Sequence, residues 1–388
     1  MVPRRMASEL AASLRSFPAV AVIGPRQSGK TTLVRSLFPR FTYLSLERPD
    51  IRAQAEEDPN RFLTANRGDL ILDEVQRVPQ LFSYLQVLID ETIPRRSFVL
   101  TGSENFLLSQ SISQSLSGRV RIFRLLPFSY GELAVLPTRP EDLDSLLFTG
   151  MYPPIYDRSA EPSVWYQSYT ETYLERDVRN IKNIASLSLF QRFLTLCAGR
   201  IGQLVNLSAL AIEAGISHNT AREWLSVLEA SYIIHTLKPY HVNYGKRVVK
   251  QPKLYFVDTG LVCSLLGIQS ADQLRSHYLR GSLFENFVIS EYAKHRLNGG
   301  VVPRGFFWRD SHGHEIDLLI EEPAPFAVEI KSGETVTAEY FKGLQYWLSL
   351  TGASPERSYV IYGGAENQDR KYGRVVAYRN IDEWLAQL

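Results

Sequence analysis

The sequence predicts an α/β protein: a parallel-sheet unit first, a helical stretch next, and a second α/β unit at the end. Three observations predict it. The apolar run "AVAVI" at 19–23 passes through a glycine-containing turn into the helical "TTLVRSLF". Two more short apolar runs, "LIL" at 70–72 and "SFVLTG" at 97–102, follow in the same third of the chain. Near the other end, "HEIDLLI" (314–320) and "FAVEIK" (326–331) alternate like strands on either side of a proline-containing turn at 321–325.

The first turn carries chemistry. "GPRQSGKTT" (24–32) satisfies G-x-x-x-x-G-K-[ST] through Gly24, Gly29, Lys30 and Thr31. Such a loop wraps phosphates with backbone N–H groups. Its lysine reaches the β- and γ-phosphates, and its hydroxyl faces Mg²⁺. Pro25, Arg26, Gln27, Ser28 and Thr32 complete the expected nucleotide-binding stretch. The strand before it and the helix after it supply the context that the motif needs, so the expected ligand is ATP with Mg²⁺.

A metal needs an acid, and "DLILDEVQRV" (69–78) offers two where its short buried strand ends. Ligands in open α/β sheets gather at the carboxyl ends of strands. Asp73 is the expected Mg²⁺ partner beside Thr31, and Glu74 the candidate base that orients an attacking water. Ser103 ends the next strand, as a sensor of the γ-phosphate or as a polar turn residue. Arg119 precedes a further strand in "SLSGRVRIFRL". It is either an arginine that completes a neighbouring subunit's site, which would require a homo-oligomer, or a surface arginine.

This order of loop, acidic strand, polar-ended strand and arginine resembles the AAA-type ATPases. With "LTGSENFLLSQSISQSLSGRV", "LPFSYGEL", "YLERDV" and "KLYFVDTGL", the whole chain resembles a prokaryotic family of AAA-type ATPases that end in a domain of unknown function. The resemblance implies ATP binding and hydrolysis.

The middle of the chain reads as helices. "VWYQSYTETYLERDVRNI" (164–181) is helical, with Tyr169, Tyr173 and Val178 as core and with Arg176, Asp177 and Arg179 matching the family pattern. In "NLSALAIEAGISHNTAREWLSVLEASYII" (206–234), Asn206 caps one helix that ends at Gly215, and Ser217 caps a second over His218–Glu229. Two helices about a tight glycine turn make a helix-turn-helix. His218, Asn219, Thr220, Arg222 and Glu223 would face outward. The stretch 235–256 reads as a wing bearing Lys238, Lys246, Arg247, Lys250 and Lys253 and no acid. Such a wing suits DNA phosphates, or else a protein partner.

The terminal hairpin carries the second set of candidates. Paired about Pro323, its strands would set Asp317 opposite Glu329 and Glu315 opposite Lys331. Adjacent carboxylates repel unless a cation separates them, and Mg²⁺ or Mn²⁺ suits such oxygen ligands. Asp…Glu-x-Lys on a hairpin resembles the PD-(D/E)xK nuclease-like superfamily. That resemblance implies Asp317, Glu329 and Lys331 as catalytic residues. It also implies Glu285 of "GSLFENFVISEYAK" as a further metal ligand beside Asp317 and Glu329. Gln345 of "GLQYW" matches its usual polar residue, whereas Ile316 replaces the usual proline. The alternative is a salt-bridged hairpin on an inactive nuclease-like fold. His312 and His314 read as surface or structural residues.

Composition bounds these readings. A chain of 388 residues has room for two to four domains, and 45% hydrophobic with 22% charged residues is an ordinary globular balance. A net charge of +2 confines any nucleic-acid surface to a local patch. Cys197 and Cys263 are the two cysteines and lack metal or redox spacing, which points to a reducing, cytoplasmic setting. No apolar run approaches the roughly 18 residues of a membrane helix, and the first residues lack the apolar stretch of a signal peptide. The expected layout is an AAA-type parallel-sheet domain (1–135), a helical linker (136–186), a winged helix-turn-helix (187–257) and a nuclease-like domain (258–388). The expected activity is an ATPase that acts on DNA. The alternative is a nucleotide-dependent switch or DNA-binding regulator with an inactive C-terminal scaffold.

Overall fold

Five parallel strands form the first sheet: β1 (Ala19–Ile23), β2 (Thr42–Ser45), β3 (Leu70–Asp73), β4 (Phe98–Gly102) and β5 (Val120–Arg124), in the spatial order β2-β3-β4-β1-β5. They belong to a computed structural model that describes residues 2–91, 96–103, 115–173, 186–240 and 249–388. The central strands β1, β3 and β4 are buried on both faces, which is why they read as unbroken apolar runs. The edge strands β2 and β5 are only partly covered. Helix α1 (Lys30–Leu37) turns Leu33 and Val34 onto Val20, Val22, Ile71, Val99 and Phe123. Each such side chain contributes about 1.5–3 kcal/mol through burial.

The chain divides into two units. The first holds Met1–Phe128 with Ala230–Tyr232 and Arg296–Val302, and the second holds Ser129–Glu229, Ile233–His295 and Pro303–Leu388. The second unit is built on an eight-stranded mixed sheet: β6 (Ile234–Pro239), β7 (Lys253–Phe256), β8 (Gly305–Arg309), β9 (Glu315–Ile320), β10 (Phe326–Lys331), β11 (Ser358–Tyr362), β12 (Gln368–Arg370) and β13 (Gly373–Ala377). Its order is β12-β13-β11-β10-β9-β8-β6-β7. Trp308, Ile316, Leu319, Phe341, Leu344, Trp347 and Val360 form a core on this sheet.

Helices precede and cover that sheet. Helix α2 (Pro162–Tyr173) buries Tyr166 and Tyr169. Helix α3 (Leu187–Ala198) packs on α4 (Leu207–Ala214). The Asn206 side chain caps α4, Gly215 ends it at φ 76°, and Ser217 caps α5 (His218–Ala230). Both caps lie where the sequence sets them. Ala221, Trp224, Leu225 and Leu228 of α5 are buried, while His218, Asn219, Arg222 and Glu223 are exposed. Residues 203–205 bond to β7 on the side away from β6.

The wing residues Lys246 and Arg247 lie outside the described residues, as do Arg176, Asp177, Val178, Arg179 and the Tyr173 side chain. Lys238 and Lys250 are exposed. Lys253 corrects the wing reading: it is 3% exposed and faces carboxylates rather than solvent. All four residues of β7 are buried, and acids supplied by other elements hold Lys253 there. No helix among the described residues is long and apolar enough to cross a membrane.

Candidate functional site

The parallel register aligns the carboxyl ends of β1 and β4, with Ile23 beside Gly102, and β3 ends next to them. The 24–32 loop leaves β1 at this edge. Gly24 and Gly29 adopt φ of 151° and 92°, and Gln27 adopts 62°. Only glycine fits at Gly24, because a Cβ there would stand 2.1 Å from the Leu125 carbonyl oxygen. Lys30 folds over the loop and donates to the Gly24 and Pro25 carbonyls at 3.0 and 2.8 Å. The Ser28 hydroxyl is buried without a hydrogen-bond partner. Thr32, in the first turn of α1, is exposed.

Asp73 is the hub of this edge. Thr31 donates to it at 3.1 Å, Tyr43 at 2.6 Å, and Thr101 through a short bond. Burial, reinforced by the Asp73 carboxylate, pushes the Tyr43 phenol up to about 12. Glu74 follows in the left-handed region at φ 55°, a conformation that costs a non-glycine residue on the order of 1–3 kcal/mol. Its carboxylate accepts from Gln76 at 2.6 Å and from Ser103 at 3.0 Å. Lys30, Thr31, Asp73, Glu74 and Ser103 therefore gather at one sheet edge. Arg119 does not join their hydrogen-bond network. Its guanidinium makes two 2.7 Å bonds to Asp90 and one to the Ser117 carbonyl.

Tyr43, Thr101 and Gln76 carry no motif in the sequence. Register supplies the missing signal: β3 and β4 pair Leu72 with Leu100, so Asp73 and Thr101 fall side by side. The residues present fit Mg-ATP. The loop has the backbone conformation of a phosphate cradle, the buried Ser28 hydroxyl is unpartnered, and a hydroxyl and a carboxylate stand together as hard oxygen donors.

The hairpin β9–β10 keeps the register expected about Pro323, pairing Ile320 with Phe326 and Leu318 with Val328. Asp317, Glu329 and Lys331 do meet. The Lys331 ammonium lies 3.2 Å from Asp317 and 2.5 Å from Glu329, and the Ile330 N–H donates to Asp317 at 2.8 Å. Glu285, on α7 (Arg280–Asn298; α6 is Thr259–Leu265), does not reach them by a hydrogen bond. It accepts from Lys253 at 2.9 Å and from Tyr255 at 2.5 Å. Lys253 also pairs closely with Glu315, which Arg309 meets from the other side at 3.2 Å. Glu315 therefore faces Lys253 and Arg309 rather than Lys331.

Burial opposes the charge of Asp317, but Lys331, Lys253 and the Ile330 N–H hold its carboxyl below the usual range. Burial and the neighbouring Asp317 push Glu329 up to about 8. Burial raises Glu285 as well. Lys253 would be lowered by burial, yet Glu285, Asp317 and Glu315 hold it above the ordinary lysine value.

These donors do not fit the metal expected at Glu285, Asp317 and Glu329. Among the described residues no group of three or more His, Cys, Asp or Glu side chains is placed to hold one. A buried ammonium, Lys253, and a half-buried one, Lys331, already stand among these acids. Helix α8 (Lys342–Thr351) carries Gln345 and starts hard against this cluster: a Cβ on Gly343 would stand 2.1 Å from Glu329 Oε1. Asp310 carries no motif in the sequence, yet its carboxylate accepts from His314 at 3.1 Å, Tyr346 at 3.2 Å and two backbone N–H groups. His314 also stacks on Tyr346 at 3.7 Å, while His312 is exposed.

The parallel sheet, the glycine loop and the Thr31–Asp73 pair define the first unit as a P-loop, AAA-type nucleotide-binding domain. A family model described as "AAA domain" matches residues 16–134, and two domains of unknown function, DUF8612 and DUF4143, match 140–272 and 280–381. The uncharacterized protein Rv2008c of Mycobacterium tuberculosis is 33% identical over 338 residues, covering 86% of this chain and 74% of that protein. The chain belongs to the family of this mycobacterial protein. The uncharacterized protein MJ1544 of Methanocaldococcus jannaschii is 23% identical over 332 residues, covering 77% of this chain and 71% of that protein. Among solved structures, the Walker-type ATPase PABY2304 of Pyrococcus abyssi is similar with a TM-score of 0.45 and 13% identity, over 68% of this chain and 96% of that one.

Proposed function

We propose that the chain is an ATP-hydrolysing switch whose C-terminal sheet is a nuclease-like scaffold held together by lysines. One observation carries the ATPase reading: Lys30, Thr31, Asp73, Glu74 and Ser103 converge on the carboxyl edge of one parallel sheet. The loop N–H groups and Lys30 would hold the phosphates of ATP, and Thr31 and Asp73 the Mg²⁺. When bound, Mg-ATP supplies an activated phosphoryl group for transfer to water. Tyr43, Thr101 and Thr31 orient the Asp73 carboxylate toward the loop. Glu74 Oε2 is the proton acceptor for water, held by Ser103 and Gln76.

Replacing Lys30 with alanine is expected to reduce ATP turnover by at least about a hundredfold, since it removes a donor that would meet the developing charge once ATP is bound. Steady phosphate release by K30A at the wild-type rate would overturn the assignment. Lys253 and Lys331 support the scaffold reading, because they pair with the acids that a nuclease would use to hold a metal.

A second reading, DNA binding, draws on α3 to α5 and β6–β7. The order helix, bridging residue Leu204, helix, helix and antiparallel strand pair favours a winged-helix reading, and His218, Asn219 and Arg222 lie on the exposed face of α5.

A further inference from the structure

The phosphate loop meets one other stretch of backbone twice. At the loop's start, Gly24 packs against the Leu125 carbonyl, and the Leu125 N–H donates to the Ile23 carbonyl at 2.8 Å. At its end, the contact runs through Arg4. Arg4 donates from Nη1 to the Ser28 carbonyl and from Nη2 to the Leu126 carbonyl, both at 2.7 Å. Its guanidinium lies 4.9 Å from the centre of the Phe128 ring. Phe128 is the last residue before the chain enters the second unit. A planar fork can satisfy two divergent carbonyls and lie over an aromatic face at once, and a lysine cannot. Ser28 belongs to the loop that would close on phosphate, so any turn of its peptide is felt at Arg4.

We propose that Arg4 is a positioning residue that ties the phosphate loop to Leu125–Phe128, so that nucleotide occupancy and the order of this exit segment are linked. The proposal rests on the nucleotide reading above. A ligand that steadies the loop then steadies the segment, and by reciprocity anything that pulls on the segment alters nucleotide affinity. Arg4 needs no contact with substrate for this role.

The test is hydrogen exchange on the full chain, read in peptides covering 24–29 and 125–128, with and without a slowly hydrolysed ATP analogue and Mg²⁺. In the wild type, the analogue is expected to slow exchange in both peptides. In Arg4→Ala, binding of a fluorescent ATP analogue should weaken on the order of tenfold, the loss expected for hydrogen bonds from a charged donor. At saturation, that variant's loop peptide should still be protected while its 125–128 peptide is not. Arg4→Lys keeps the charge and guards against misfolding, and it should lose the linkage in the same way. Protection of 125–128 at saturation in either variant, equal to wild type, overturns the proposal.

Absence of analogue binding to the wild type would defeat the ATP reading instead. The ligand-free comparison then decides: Arg4→Ala must speed exchange in both peptides together, and unchanged exchange in either one overturns the tie.

Discussion

Lys253 shows how far a single side chain can depart from its local signal. It sits in a basic stretch of sequence and ends as a buried ammonium between Glu285 and Glu315. Removing one partner of a buried ion network leaves charge unpaired, at a cost of about 3–5 kcal/mol. K253M is expected to lower stability by that order in denaturant titrations, and an unchanged midpoint would contradict the network. Glu329 is one source of pH dependence. Burial and the neighbouring Asp317 raise its folded value to about 8, from an ordinary 4.5. Its contribution is therefore complete below pH 4.5 and is lost as the pH rises through 8. E329Q, which is neutral throughout, should show a flatter stability profile than wild type between pH 5 and 9. Parallel profiles would place the titration elsewhere.

At the scale of elements, the hairpin β9–β10 and helix α8 build the cluster together. The strands set Asp317, Glu329 and Lys331 side by side, and α8 closes over them because residue 343 is a glycine. Adding one methyl forces either the helix or the Glu329 carboxylate to move. G343A is expected to destabilise the chain by about 1–3 kcal/mol, the usual cost of overpacking. A stabilised G343A, as helix propensity alone predicts, would show that the contact yields freely. The phosphate loop follows the same logic: β1 ends, Gly24 clears the Leu125 carbonyl, and α1 begins under the bend.

For the molecule as a whole, the two sheets support different chemistries. The first gathers oxygen donors and a lysine around a loop shaped for phosphate, and the second spends its lysines on its own carboxylates. Plasmid incubated with the protein and Mg²⁺ or Mn²⁺ is therefore expected to remain uncut. A gel shift that weakens steeply with salt would mark DNA binding without cleavage. Nicking abolished by K331A would restore the nuclease reading. Much of this was legible in the sequence. The phosphate loop, the Asp73–Glu74 strand end, the Asn206 and Ser217 caps and the hairpin register about Pro323 are local patterns. Each is set by motif spacing, capping chemistry or strand alternation within a few residues. What only the tertiary structure decided are the partners brought from afar: Arg4 at Ser28, Tyr43 and Thr101 at Asp73, Asp90 at Arg119, and Lys253 at Glu285 and Glu315. A charge or a hydroxyl acquires its role from the group it faces, and packing of strands and helices distant in the chain chooses that group.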